Sequence, residues 1–213
     1  KAYIVLDEIT TSVRPFYEDF CKDLHYPEDM FIKPSDIHGI MNDNTMVVVV
    51  DTNRPELTEC PELLKKAKMI VVFDHHRQSN DVIENTVLSY IEPYASSACE
   101  MVAEMLQYIS DDIKITALEA NSMYAGIMID TNNFLTKTGV RTFEAAAFLR
   151  RNGADVTRIR KMFRTDSKEF MVKAQAVSST EVYNEFYAFA SLDPEGIVSP
   201  TVLSAQVAND LMN

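Results

Sequence analysis

The chain has 213 residues, 46% of them hydrophobic, which is enough to bury a core of one large domain or one domain and part of a second. Its formal charge is −12, from 32 acidic and 20 basic residues, and this excludes the positive field that gathers duplex nucleic acid. Three widely spaced cysteines, Cys21, Cys60 and Cys99, form no CxxC pair, so neither a disulfide framework nor a thiolate zinc site is suggested and a reducing compartment fits.

An acidic protein that handles phosphate needs cations, because clustered carboxylates repel an anionic substrate until bound metal inverts the local sign. The longest apolar stretch, Met46 to Val50, is far too short to span a bilayer.

In chain order, Tyr3 to Leu6 reads as a strand, followed by an amphipathic helix around Phe16 to Leu24. Met46 to Val50 and Met69 to Phe73 read as further strands, with a helical stretch at Pro61 to Lys66 between them. The fold class expected is α/β, a parallel doubly wound sheet with flanking helices and then a helical connector. Unbroken apolar strands imply burial on both faces.

After Pro93 the chain turns helical. Ser96 or Ser97 is an N-cap for Ala98 to Tyr108, and Thr116 opens a helix toward Ile129. Thr142 caps a helix through Arg151 that Gly153 ends, and a long helix is predicted from Ser167 to about Asn184. From Phe186 a new pattern begins, with a turn at Asp193-Pro194-Glu195-Gly196 and a helix over 201–212. The expected division is a catalytic domain over 1–165, a connector over 166–185 and the start of a cut-off second domain over 186–213.

Asp51 directly follows one strand, and Asp74-His75-His76 follow the next. In open α/β sheets ligands collect at these carboxyl ends, and carboxylate with neutral imidazole suits Mn²⁺, Fe²⁺ or Zn²⁺. Each residue alone also reads as a loop cap or a polar strand exit. Together they place uncompensated charge at one edge, which calls for pairing or metal. Asp130 ends another apolar segment, Tyr124 to Ile129, in which Gly126 allows close approach, although Asp130 to Asn133 is also ordinary loop chemistry.

Asp74-His75-His76 resembles the signature of the DHH phosphoesterase superfamily. The strings Phe73 to Asn80, Ile91 to Glu100, Tyr124 to Ile127, Asp130 to Phe134 and Thr138 to Ala146 resemble the GdpP-type branch of cyclic-di-AMP phosphodiesterases. That resemblance implies two Mn²⁺ ions, with Asp51 bridging them, His75 and Asp130 ligating one, Asp74 orienting His75 and His76 facing the substrate phosphate. The implied reaction opens cyclic di-AMP to linear pApA. Arg77 and Arg141 are candidate phosphate partners.

The family's opening His-xxx-Asp-x-Asp motif has no counterpart here, since neither His25 nor His38 is followed by that spacing. The chain is therefore expected to be a fragment, inactive alone, of a parent with membrane helices upstream and this region in the cytoplasm; a homodimer is compatible with it. Alternatives within the superfamily are a nanoRNase/pAp phosphatase and a family II pyrophosphatase. Outside it stands a non-catalytic nucleotide-binding module.

Overall fold

The computed structural model describes residues 1–10, 12–78, 80–110, 112–163, 167–197 and 200–212. The described residues form two compact units, 1–162 and 163–213. The boundary expected at 165–166 lies outside the described residues, as does Ser79 of the family-like string.

In the first unit β1 (Ile4–Val5), α1 (Arg14–Lys22) and β2 (Phe31–Ile32) come first, and β1 pairs with β2 in parallel. Next are β3 (Met46–Val50), α2 (Pro61–Lys66), β4 (Met69–Asp74) and β5 (Leu88–Ile91). They make a parallel sheet in the order β3-β4-β5, with Val48 opposite Val71 and Phe73 opposite Tyr90. The fold is α/β with parallel sheets and flanking helices, as the apolar runs predict. The first strand pairs with a short strand that the sequence pattern does not reveal, in a sheet of its own.

Burial on both faces holds for β4 but not for β3. Val47 and Val49 are buried while Met46, Val48 and Val50 are exposed. The difference follows from position: β4 lies between two strands, whereas β3 is the edge of its sheet among the described residues and is covered on one side, where Leu63 and Leu64 of α2 join Val47, Val49, Ile70 and Val72.

The helical half of this unit is α3 (Ala98–Ile109), α4 (Ala117–Asp130), α5 (Val140–Arg151) and α6 (Val156–Met162). Ser97 caps α3, its hydroxyl accepting from the Glu100 amide at 3.0 Å. Thr116 and Glu119 form a reciprocal capping box on α4. Helix α5 starts two residues before Thr142, whose hydroxyl lies inside the first turn and accepts from the Gly139 amide. Beyond its last turn Gly153 has φ +97°, where a side chain would be strained. Ala103, Ala120, Ile127, Ala145 and Leu149 lock α3, α4 and α5 together. The small residues let the helix backbones approach closely.

The second unit holds α7 (Ser167–Ser178), an antiparallel hairpin of β6 (Glu181–Tyr183) and β7 (Tyr187–Phe189), and α8 (Pro200–Leu211). Helix α7 stops near Ser178 rather than Asn184. The hydroxyls of Ser178, Ser179 and Thr180 bond back to carbonyls of Gln175 and Ala176, and a strand follows. Asn184 and Glu185 both have positive φ, the conformation of a tight hairpin turn. The predicted connector is thus part of a small unit with its own buried side chains, Ala176, Ile197, Leu203 and Val207.

Candidate metal centre

Three elements deliver the acidic and imidazole side chains. Strand β3 ends at Val50, and Asp51 turns the backbone out of the sheet with φ +70°, while its amide still donates to the Phe73 carbonyl at 2.9 Å. Strand β4 carries Asp74 in its last register, opposite Ile91, and releases His75 and His76. The apolar segment before Asp130 is the C-terminal part of helix α4, the helix expected to open at Thr116.

His75 is the meeting point. Its Nε2 lies 3.3 Å from Asp51 Oδ1 and 3.9 Å from Asp130 Oδ2. The bond to Asp51 raises the His75 pKa above its usual value; burial opposes this, and the charges of Asp51 and Asp130 and the Ala95 backbone add to the rise. Asp130 is also raised, by burial first and then by the charge of Asp51. A carboxylate on the last turn of a helix further faces the negative end of the helix dipole. Both effects disfavour a second negative charge here.

The donor set fits a divalent cation. Two carboxylates and an imidazole converge with too little positive charge among them, and a cation removes the repulsion that raises Asp130. Single ligand atoms of Asp51, His75 and His76 also lie within 4.8 Å of one another.

His76 does not share the environment of His75. Its Nδ1 lies 2.7 Å from Asp74 Oδ1, and its amide donates to the same oxygen at 3.2 Å. Asp74 is fully buried, and its other oxygen accepts from Asn53 Nδ2 at 2.5 Å. The expectation that Asp74 orients His75 is therefore corrected: its carboxylate holds His76. The cause is side-chain alternation where the strand ends, which puts residues 74 and 76 on one side and residue 75 on the other. The imidazole rings stand 4.3 Å apart, tilted by 54°.

Of the two arginines, Arg77 is exposed beside the site and lines a recess with Asp51, Asn53, Arg54 and His76. Arg141, expected at a phosphate, is engaged elsewhere. Its Nε and Nη2 grip Glu104 of α3, with Nη2 at 2.6 Å, and Nη1 reaches Glu92 at 3.6 Å. Its pKa is raised, first by Glu104. His25 bonds Asp23 away from this cluster.

Two site residues had weak signals in the sequence. Asn53 is an unremarkable amide two residues after Asp51, and only its burial against Asp74 shows its part. Cys99 packs on Gly126 beside the cluster. Burial and the charges of Asp51 and Asp130 push its thiol up to about 12, so in the metal-free site the sulfur is a neutral packing group.

The profile described as the DHH family, N-terminal domain, matches residues 4–127, and the chain belongs to that family. The cyclic-di-AMP phosphodiesterase GdpP of Bacillus subtilis is 38% identical over 99% of this chain and 32% of its own length. The cyclic-di-AMP phosphodiesterase PdeA of Listeria monocytogenes is 38% identical over 81% of this chain and 26% of its own length. The chain thus spans a third or less of these relatives. Among solved structures, an exopolyphosphatase-related protein from Bacteroides fragilis shares the fold, with a TM-score of 0.66 at 19% identity over 82% of this chain and 53% of that one.

Proposed function

We propose that the full-length protein hydrolyses cyclic di-AMP to linear pApA, using two divalent cations, Mn²⁺ by preference, at the edge formed by β3, β4 and α4. The observation that carries this reading is the approach of Asp51 and Asp130 to one nitrogen of His75, from three separate elements. The two relatives named for cyclic-di-AMP hydrolysis support the choice of substrate.

In this reading Asp51, His75 and Asp130 hold metal. The cations supply polarisation of the phosphodiester and acidification of water for in-line attack. Asp51 would hold metal from its turned-out backbone position, and Asp130 would do so from the helical side. His76, pinned at Nδ1 by Asp74, keeps Nε2 for a phosphate oxygen.

Among the described residues no helix is long and apolar enough to cross a membrane. Anchoring by segments outside this chain, with the site facing the cytoplasm, is part of the same proposal.

The test is to purify the full-length protein, remove metal, add Mn²⁺ and follow cyclic di-AMP by chromatography. Release of pApA that depends on added metal is the expected outcome. Turnover of pyrophosphate or short RNA in its place would overturn the substrate.

A further inference from the structure

A buried amide in the wall of the recess beside His76 has an unanswered hydrogen-bond requirement. Asn53 is buried, and its amide nitrogen faces two acceptors, Asp74 Oδ2 at 2.5 Å and the His76 carbonyl at 3.5 Å. Turning the amide over would set oxygen against oxygen, so its orientation is fixed by chemistry. Its Oδ1 is consequently buried with no partner, an arrangement that costs stability unless a donor arrives.

That oxygen belongs to a residue lining a recess of about 120 Å³, together with Asp51, Thr52, Arg54, Leu57, Asp74, His76 and Arg77. One bridging water needs only roughly 10–15 Å³, so the space suits a larger guest. Arg54 and Arg77 are both exposed on its wall, and among the described residues neither side chain has a carboxylate partner. Arg141 and Arg158, by contrast, are each paired with an acidic side chain, so they are not available to an anion in the same way. The backbone at Arg54 is fixed by its amide, which donates to Thr52 Oγ1 at 3.1 Å, and by Pro55, which opens a 3₁₀ turn.

The geometry points to a second phosphate subsite in this recess, in which Arg54 and Arg77 take a phosphate other than the one at the metals and Asn53 Oδ1 accepts from the hydroxyl of the intervening ribose. The inference rests on the reading of Asp51, His75 and Asp130 as the metal centre. A cyclic dinucleotide carries two phosphates one ribose apart, so when one is at the cations the other needs a place close by. The ligand class is a nucleotide with two separated phosphates. A single phosphate leaves the recess unfilled, and inorganic pyrophosphate has no ribose hydroxyl for Asn53.

Calorimetry on the full-length, Mn²⁺-loaded protein compares adenosine 3′,5′-bisphosphate with 5′-AMP. The wild type should bind the bisphosphate about ten- to a hundredfold more tightly, the scale of charge-assisted hydrogen bonds. Arg54→Gln and Arg77→Gln should each remove most of that preference while leaving 5′-AMP binding within about threefold, and Arg160→Gln on α6, which removes the same charge elsewhere, should keep it. Equal affinity for the two ligands in the wild type, or a preference that survives Arg54→Gln with Arg77→Gln, overturns the subsite. Hydrolysis of cyclic di-AMP by the same wild-type sample is scored separately. Loss of hydrolysis with the preference intact sinks the reaction alone, and hydrolysis without the preference sinks the subsite alone.

Discussion

Gly126 on α4 rests directly on the sulfur of Cys99 on α3, with no room for a methyl group between them. Asp130 lies one turn further along α4, on the same face, so this approach sets how near the carboxylate comes to His75. Gly126→Ala is expected to destabilise the protein by about 1–3 kcal/mol, the usual cost of overpacking, and to weaken Mn²⁺ binding. Adding Cys99→Ala should restore much of both, because it removes the atom that is struck. Urea unfolding and metal titration of the single and double variants measure the effect, and an unrescued double variant would refute the steric account.

A second expectation concerns charge in the metal-free protein. The folded state raises the pKa of Asp130 above the ordinary 3.8, so it binds the proton more tightly than the unfolded chain does. The resulting stabilisation is fully present below the unfolded value and is lost as pH rises through the folded one. His75, also raised, has the same sign around its ordinary 6.5. Asp130→Asn, which removes the charge permanently, should therefore raise the melting temperature of the metal-free protein at pH 7 while abolishing Mn²⁺ binding. A lower melting temperature would show that the carboxylate is not a repulsive element of the fold.

The two adjacent histidines should separate by function. His75→Ala is expected to lose metal and turnover together, since its Nε2 is where Asp51 and Asp130 meet. His76→Ala should retain metal and lose about two to three orders in kcat, the scale of one lost transition-state contact. Metal content by atomic absorption, measured beside turnover, decides between these outcomes. Metal loss in His76→Ala would make it the third member of the ligand cluster with Asp51 and His75.

Arg141→Gln probes a structural bridge. Because its fork ties the first turn of α5 to Glu104 of α3 and to Glu92, the substitution should cost on the order of 1 kcal/mol or less in stability and leave KM within twofold. A tenfold rise in KM at unchanged stability would return Arg141 to the substrate.

The parallel sheet and most helix starts were legible in the sequence because local rules govern them: apolar runs, Ser97 and Thr116 as caps, Gly153 as a stop. The placement of Asp51 and His75 at strand ends followed from the same pattern. What stayed hidden depends on contacts distant in sequence. Strand β2 has only two residues, too few for a periodic signal, and forms because β1 offers a partner. The exposed face of β3 reflects its place at an edge, which an apolar run does not encode. The attachment of Arg141 to Glu104 spans 37 residues, and nothing near Arg141 announces it. The bond from Asp74 to His76 was local enough to foresee, being the turn that an Asp makes with the residue two ahead.

The left-handed backbone at Asp51, with φ +70°, also governs which replacements the chain can accept there. A glycine would relax the backbone but carries no carboxylate, and valine or isoleucine would clash with the conformation itself. Asparagine visits this region readily and matches aspartate in shape, so Asp51→Asn should fold like the wild type and be silent only in metal binding. The backbone thus names in advance a replacement that separates the loss of the carboxylate from any loss of the fold.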